Sequence, residues 1–397
     1  MVTNRGLVFK NPEGSPSPFS LRCNEAYGEA ATSVPWVTTD GANGLTVATN
    51  KSVLTSVDGA CSFTTSFDAA SMAPLGGYLG GVTESSAKPE RLVLSTLAKP
   101  DVSGIWASED FGATWSVLYR FPNLDTYSGL LAAPSNAQRI YATGSGLNLD
   151  TQQIWSLWLV SSDGGSSWSQ RQTDSDLTPA LVHPQNPDVV FAYEFISGTE
   201  GARLWRSTDA GQTFAQITEV PKPFTSFLSS ADGTEVWFGA DGLYHSRDGG
   251  LTFTREYPEF QAVRCLAEHA GELWICANQL PNLEGVFVRH VGSDAFEQAM
   301  VFTDVRENKA CGGDLDSVCR VPWLDWKIEI FPDGLDAGVQ ADASVPEDAG
   351  ADAGPAAGSH GDGCGCDVPG QSHGPQRGLF GAGILLAAWS IARRRRH

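Results

Sequence analysis

Basic residues are scarce in this chain. Only 26 Lys and Arg stand against 46 Asp and Glu, a net charge of −20 over 397 residues. Phosphate backbones are bound by clustered cations, and the folded part of the chain carries no basic patch, which argues against nucleic acid as a partner. The N-terminus, Met1-Val-Thr-Asn-Arg-Gly, has neither a basic n-region nor an apolar h-region, so no signal peptide is legible. No Gly-x-Ser-x-Gly elbow, His-Glu-x-x-His helix or phosphate loop occurs. His183, His245, His269 and His290 are dispersed without ligand spacing, so neither a metal nor another cofactor is expected.

What the chain does have is a repeat. Ser246-Arg-Asp248-Gly-Gly250-Leu-Thr252-Phe253 returns as Ser207-Thr-Asp209-Ala-Gly211-Gln-Thr213-Phe214. It returns again as Ser108-Glu-Asp110-Phe-Gly112-Ala-Thr114-Trp115 and Ser161-Ser-Asp163-Gly-Gly165-Ser-Ser167-Trp168. A looser copy, Ser56-Val-Asp58-Gly-Ala60-Cys-Ser62-Phe63, has Ala where the glycine belongs. Each position answers a backbone need. The carboxylate accepts loop N–H groups that a strand ladder leaves over, and the hydroxyls assist. Glycine supplies a positive φ. The closing aromatic buries a large apolar area between neighbouring units.

The pattern Ser-x-Asp-x-Gly-x-Thr/Ser-aromatic resembles the Asp-box, or BNR repeat, which marks blades of β-propellers in sialidases, some glucanases and sortilin-type receptors. The resemblance implies structural roles for Asp58, Asp110, Asp163, Asp209 and Asp248. They recur in every repeat, as catalytic groups do not.

Ahead of each box lies a second recurring hairpin, an apolar run after a turn, as in Pro184-Gln-Asn-Pro-Asp-Val-Val-Phe-Ala192. Two hairpins per repeat make four strands, the unit of a propeller blade. The closing aromatics Phe19, Phe63, Trp115, Trp168, Phe214, Phe253 and Phe296 count seven repeats, of which the first, over 7–19, is a worn box. The expected fold is all-β: a propeller of about seven (six to seven) four-stranded blades. The chain reads as opening within a blade, so an upstream signal peptide and two further strands are expected. Insertions at 144–154 and 195–203 lengthen one hairpin in two neighbouring blades, either a shared binding face or tolerated surface variation.

Six of the eight cysteines are candidates for disulfides, which would imply an oxidising, extracytoplasmic compartment. Cys265 and Cys276 flank a tight turn, Cys311 and Cys319 close a short loop, and Cys23 and Cys61 sit at corresponding points of successive repeats.

The domain reading is a propeller over 1–304, a cysteine-containing cap over 305–332, an acidic Asp/Ala/Gly linker over 333–363 and a tail over 364–397. The linker is too polar to bury a core and reads as disordered. The tail runs from Cys364-Gly-Cys366 through an uncharged stretch to Arg393-Arg-Arg-Arg396. It is similar to the MYXO-CTERM sorting signal of myxobacterial surface proteins. That resemblance implies export, a short hydrophobic helix that stops in the membrane with the arginines cytoplasmic, processing or lipidation at Cys364 or Cys366, and a sorting protease as partner.

No catalytic residue is assigned. The early Arg-Ile-Pro motif of sialidases is missing, and none of the carboxylates Asp40, Glu90, Glu194 and Glu235 is singled out by its neighbours. The expected function is a surface-displayed, non-catalytic module binding a protein or glycan at one rim. The alternative is a secreted glycoside hydrolase of the sialidase or glucanase kind, which needs a central carboxylate pair.

Overall fold

The computed structural model describes residues 2–3, 6–10, 19–23, 36–39, 44–69, 77–98, 103–120, 126–148, 153–279, 283–301, 304–308, 311 and 319. The expected linker, the hydrophobic helix and most of the cap lie outside them. Among the described residues seven four-stranded sheets form, one for each repeat counted from the aromatics. The first holds β1 (Val2–Thr3), β2 (Gly6–Lys10) and β3 (Phe19–Cys23). The second is β4 (Trp36–Thr39), β5 (Leu45–Ala48), β6 (Ser52–Ser56) and β7 (Thr64–Asp68). The third is β8 (Gly77–Ser85), β9 (Lys88–Ala98), β10 (Gly104–Ser108) and β11 (Ser116–Arg120). The fourth is β12 (Thr126–Ala133), β13 (Asn136–Asn148), β14 (Gln153–Ser161) and β15 (Ser169–Thr173). The fifth is β16 (Thr178–Val182), β17 (Val190–Phe195), β18 (Ala202–Ser207) and β19 (Ala215–Val220). The sixth is β20 (Ser226–Ser229), β21 (Val236–Gly239), β22 (Leu243–Ser246) and β23 (Thr254–Glu256). The seventh is β24 (Phe260–His269), β25 (Glu272–Gln279), β26 (Leu283–Arg289) and β27 (Glu297–Val301). A last strand, β28 (Val305–Asn308), returns to the first sheet.

Sheets two to seven are consecutive antiparallel meanders, and their first strands touch from sheet to sheet. The core therefore lies between blades rather than within one. Val93, Ile105, Leu130, Ile140 and Leu159 join the third and fourth, and Ala180, Phe191, Leu204 and Phe238 join the fifth and sixth. The fourth strands carry the solvent face, as the exposed run of Ser169–Thr173 shows. The box aromatics turn inward. Trp115 packs with Val53 and Phe67 of the preceding blade, Trp168 with Val93 and Ile105, and Phe214 with Tyr141 and Trp158.

The ring closes through the first sheet, with a difference from expectation. Its fourth strand is β28, from the far end of the chain, and it lies parallel to β3 with Val305 opposite Phe19. Phe19 thus closes no box. It opens β3, pairs with Lys10, and is half-buried beside Val8, Leu21, Val286 and Met300. That cluster joins the first sheet to the seventh. On its other side the buried Arg22 donates from Nη2 to the carbonyl of Cys61 at 3.3 Å, reaching the second.

All six of those cysteines are bonded. Cys265 and Cys276 cross-link neighbouring strands β24 and β25. The other four pair differently from the sequence reading: Cys23 with Cys319, and Cys61 with Cys311. The reason is the return of β28, which carries the segment after it to the end of β3 and to the box of the second blade. These bonds span 296 and 250 residues. They belong to a protein that matures in an oxidising compartment, as secreted and extracellular proteins do.

Candidate functional site

The box aspartates are spent on their own loops. Asp248 Oδ1 accepts the Ser246 hydroxyl at 2.7 Å and the Thr252 amide at 2.9 Å, while its Oδ2 accepts the Thr252 hydroxyl at 2.6 Å. The Ser246 oxygen in turn accepts the Gly250 amide at 2.8 Å. Asp110, Asp163 and Asp209 repeat the four bonds, and so does Asp58 with Ser56, Ser62 and the amide of Ala60. Donors aimed at the charged form hold Asp58, Asp163 and Asp209 down to about 2, led by the hydroxyls of Ser62, Ser167 and Thr213. Asp248 is lowered further by Thr252 and Ser246. A carboxylate held that acidic carries no proton at neutral pH and cannot serve as a general acid.

The loops need two left-handed residues in succession, where the sequence pattern signals one. The pairs are Gly59–Ala60, Phe111–Gly112, Gly164–Gly165, Ala210–Gly211 and Gly249–Gly250, with φ from 54° to 95°. Space makes the second position restrictive. A Cβ on Gly211 would lie 2.0 Å from Trp158 Nε1, and one on Gly250 would lie 2.4 Å from Phe191 Cζ. The box is therefore a wedge against the preceding blade.

The boxes of the third to sixth blades also stack on the first hairpin of their own blade. The amides of Phe111, Gly164, Ala210 and Gly249 donate to the carbonyls of Glu90, Gln138, Asp188 and Thr234. Boxes and first hairpins thus share one rim. The opposite rim is built by the turns between second and third strands and by the crossings to the next blade. Both insertions fall there, in β13–β14 and β17–β18. Residues 149–152 of the first insertion lie outside the described residues.

On that opposite rim an aromatic group spans the fifth and sixth blades. Tyr193, Phe224, Phe227 and Phe238 pack together, and Phe195, 37% exposed, lies 5.4 Å from Tyr193. Arg203 bridges two carboxylates there, Glu194 at 3.3 Å and Glu219 at 2.9 Å. The other carboxylates considered from sequence are scattered. Glu90 and Glu235 sit in the first hairpins of the third and sixth blades, on the box rim, and Asp40 lies outside the described residues. Glu235 faces His245 Nε2 at 3.4 Å.

The histidines are local. His183 Nδ1 accepts the amides of Gln185 and Asn186, and burial pushes its pKa down. His245 is stacked on Trp237 at 4.8 Å and bonded to Glu256 at 3.0 Å, its pKa lowered by burial. His290 is exposed, bonded to Glu272 at 2.6 Å, which raises it. Among the described residues no group of three His, Cys, Asp or Glu is arranged to hold a metal ion.

The architecture is that of a seven-bladed Asp-box β-propeller. The family profile of Sortilin-Vps10 (sortilin, neurotensin receptor 3) matches residues 103–236, the stretch that holds the boxes of Asp110, Asp163 and Asp209. The human VPS10 domain-containing receptor SorCS2 is 25% identical over 118 residues, which is 30% of this chain and 9% of that protein. The human receptor SorCS1 is 29% identical over 125 residues, 31% of this chain and 10% of that one. The chain thus spans about a tenth of the length of the curated relatives it matches. Among solved structures it is similar to the GH74 xyloglucanase of Xanthomonas campestris, at TM-score 0.42 and 16% identity over 56% of this chain and 38% of that one. It is similar also to YCF48 bound to D1 peptide, at TM-score 0.42 and 16% identity over 67% and 81%. Likeness at this level concerns architecture and transfers neither protein's role.

Cys364 and Cys366 lie outside the described residues. Among the described residues no helix is long and apolar enough to cross a membrane.

Proposed function

We propose that this protein is a surface-displayed binding propeller that holds a protein or glycan partner on the rim opposite its boxes, without catalysing a reaction. One observation carries the reading. The five repeated aspartates are consumed by loop hydrogen bonds, while the lengthened hairpins and a mostly buried aromatic group with Phe195 exposed at its edge gather on the other rim. The strands nearest the ring centre add support, for their described residues are largely Thr, Ser, Gly, Pro, Ala, Leu and Val. Of their carboxylates, Glu84 is buried and accepts the Thr38 hydroxyl at 2.8 Å, and Glu268 is exposed at the box-rim end of β24. The similarity of 103–236 to sortilin-type receptors accords with binding. In this reading the tail from Cys364 to His397 is a sorting signal cut by a protease, leaving the propeller attached through Cys364 or Cys366.

The test is sugar release from a panel of polysaccharides and sialoglycans by the exported protein. No release above blank is expected. Release would favour the glycoside hydrolase reading. Mass spectrometry of the mature C-terminus would check the tail, and an intact Arg393–Arg396 run on the surface protein would overturn its processing.

A further inference from the structure

Resting on the binding reading above, we propose that the β13–β14 hairpin recruits an extended, cationic peptide segment by strand addition along the outer edge of β14. In the fourth blade, all four strands end together in the row Thr126, Ser145, Ser156 and Thr173. Among the described residues only the middle two continue beyond this row, pairing Gly146 with Trp155, Leu147 with Ile154 and Asn148 with Gln153. The ribbon rises about 10 Å above the blade at the rise of an antiparallel strand.

The neighbouring blade does not do this. There β19 follows β18 to the end, with Val220 opposite Ala202. Among the described residues none pairs with the outer edge of Gln153–Trp155. An exposed run of ladder groups is a template for another chain. The ribbon is also braced. Trp155 lies across Gly146, where a Cβ would come 2.2 Å from its ring. The pair keeps the two strands together without a third, so the edge is held ready.

Charge selects the occupant. β15 stops at Thr173, opposite Ser156, and the chain runs on from there through Asp174 and Asp176. The adjoining rim adds Glu194, Glu200 and Glu219 against Arg203 and Lys222, and both cations are engaged by these glutamates. The net field is negative, so a segment bearing Lys or Arg is favoured over an acidic one.

The experiment titrates the full chain with two labelled octapeptides, (Lys-Val)4 and (Lys-Pro)4, followed by fluorescence polarisation at low salt. Both carry the same charge, but proline cannot donate to a ladder. The Lys-Val peptide is expected to bind about tenfold or more tighter, the worth of a few added backbone hydrogen bonds. The second arm replaces residues 146–155 with Asn-Gly, a two-residue loop that closes on the Ser145–Ser156 pair. That variant keeps the four-strand row and its thermal unfolding, and it is expected to lose the preference. Equal binding of the two peptides, binding of neither, or a preference retained by the shortened variant would each overturn strand addition. Sugar release by the parent protein would overturn the binding reading itself, which none of these peptide outcomes does.

Discussion

Two parts of the ring are held shut by different physics. In the third to sixth blades, each box wedges a glycine turn against its predecessor and satisfies its own polar groups. These interfaces are many, local and alike. The seam at the first sheet has no box. It relies on a short parallel pairing of β28 with β3, the buried Arg22, and two disulfides that span 250 and 296 residues. Local repeats can be stabilised by hydrogen bonds because their partners are close along the chain. A seam between the two ends faces the full loop-closure entropy, and a covalent link removes that cost from the unfolded state.

The largest effect expected from this contrast comes from opening the seam. Changing Cys319 alone to serine breaks the 296-residue link and should cost about 5 kcal/mol, since a cross-link over hundreds of residues restricts the unfolded chain most. Changing Cys265 and Cys276, which close 11 residues, should cost about 3 kcal/mol or less. Urea unfolding of both variants measures the difference, and equal costs would remove the distinction between seam and blade.

Next come the wedges. Gly211→Ala drives a Cβ to 2.0 Å from Trp158 in a left-handed turn and should cost about 2–4 kcal/mol. Gly112→Ala, whose nearest contact is a Thr46 methyl at 3.0 Å, should cost less. Thermal unfolding of the two ranks them, and the reverse order would sink the wedge account.

A smaller and graded effect concerns acid. The folded values of Asp58, Asp163 and Asp209 lie near 2 against an ordinary 3.8. A lowered folded value contributes stability that is complete above the ordinary value and lost as pH falls through the folded one. The boxed blades should therefore weaken between about pH 4 and pH 2. Asp163→Asn should lower stability at neutral pH and flatten that acid limb, as read from urea midpoints across pH. Smallest is Ala60→Gly, which relieves a φ of 71° in the one box that lacks the second glycine. A gain of up to about 1 kcal/mol is expected there.

Much of the ring was legible in the residues, because a box spends its side chains within eight positions. Asp163 and Trp168 act through groups that the sequence places beside them, so hairpin order and inward aromatics follow from spacing, which leaves the blade count at six or seven. The first left-handed position was not fully legible, since glycine at 59, 164 and 249 gives way to Phe111 and Ala210. What they share is a backbone shape imposed by the hairpin. The open edge at Trp155 carried no signal of its own either. An insertion shows that a hairpin is long, but an exposed edge depends on where Thr126 and Thr173 stop on the flanking strands.

The sequence by itself determined the repeat, the four-strand unit, the acidic surface and the structural use of five aspartates. Each of these rests on interactions between near neighbours in the chain. Only the tertiary structure decided that Cys23 meets Cys319 and Cys61 meets Cys311, and that β28 lies parallel to β3. Only it aligned the lengthened hairpins on the rim away from the boxes. Partners hundreds of residues apart are chosen by how a closed ring returns its end to its beginning, and no local pattern of side chains encodes that distance.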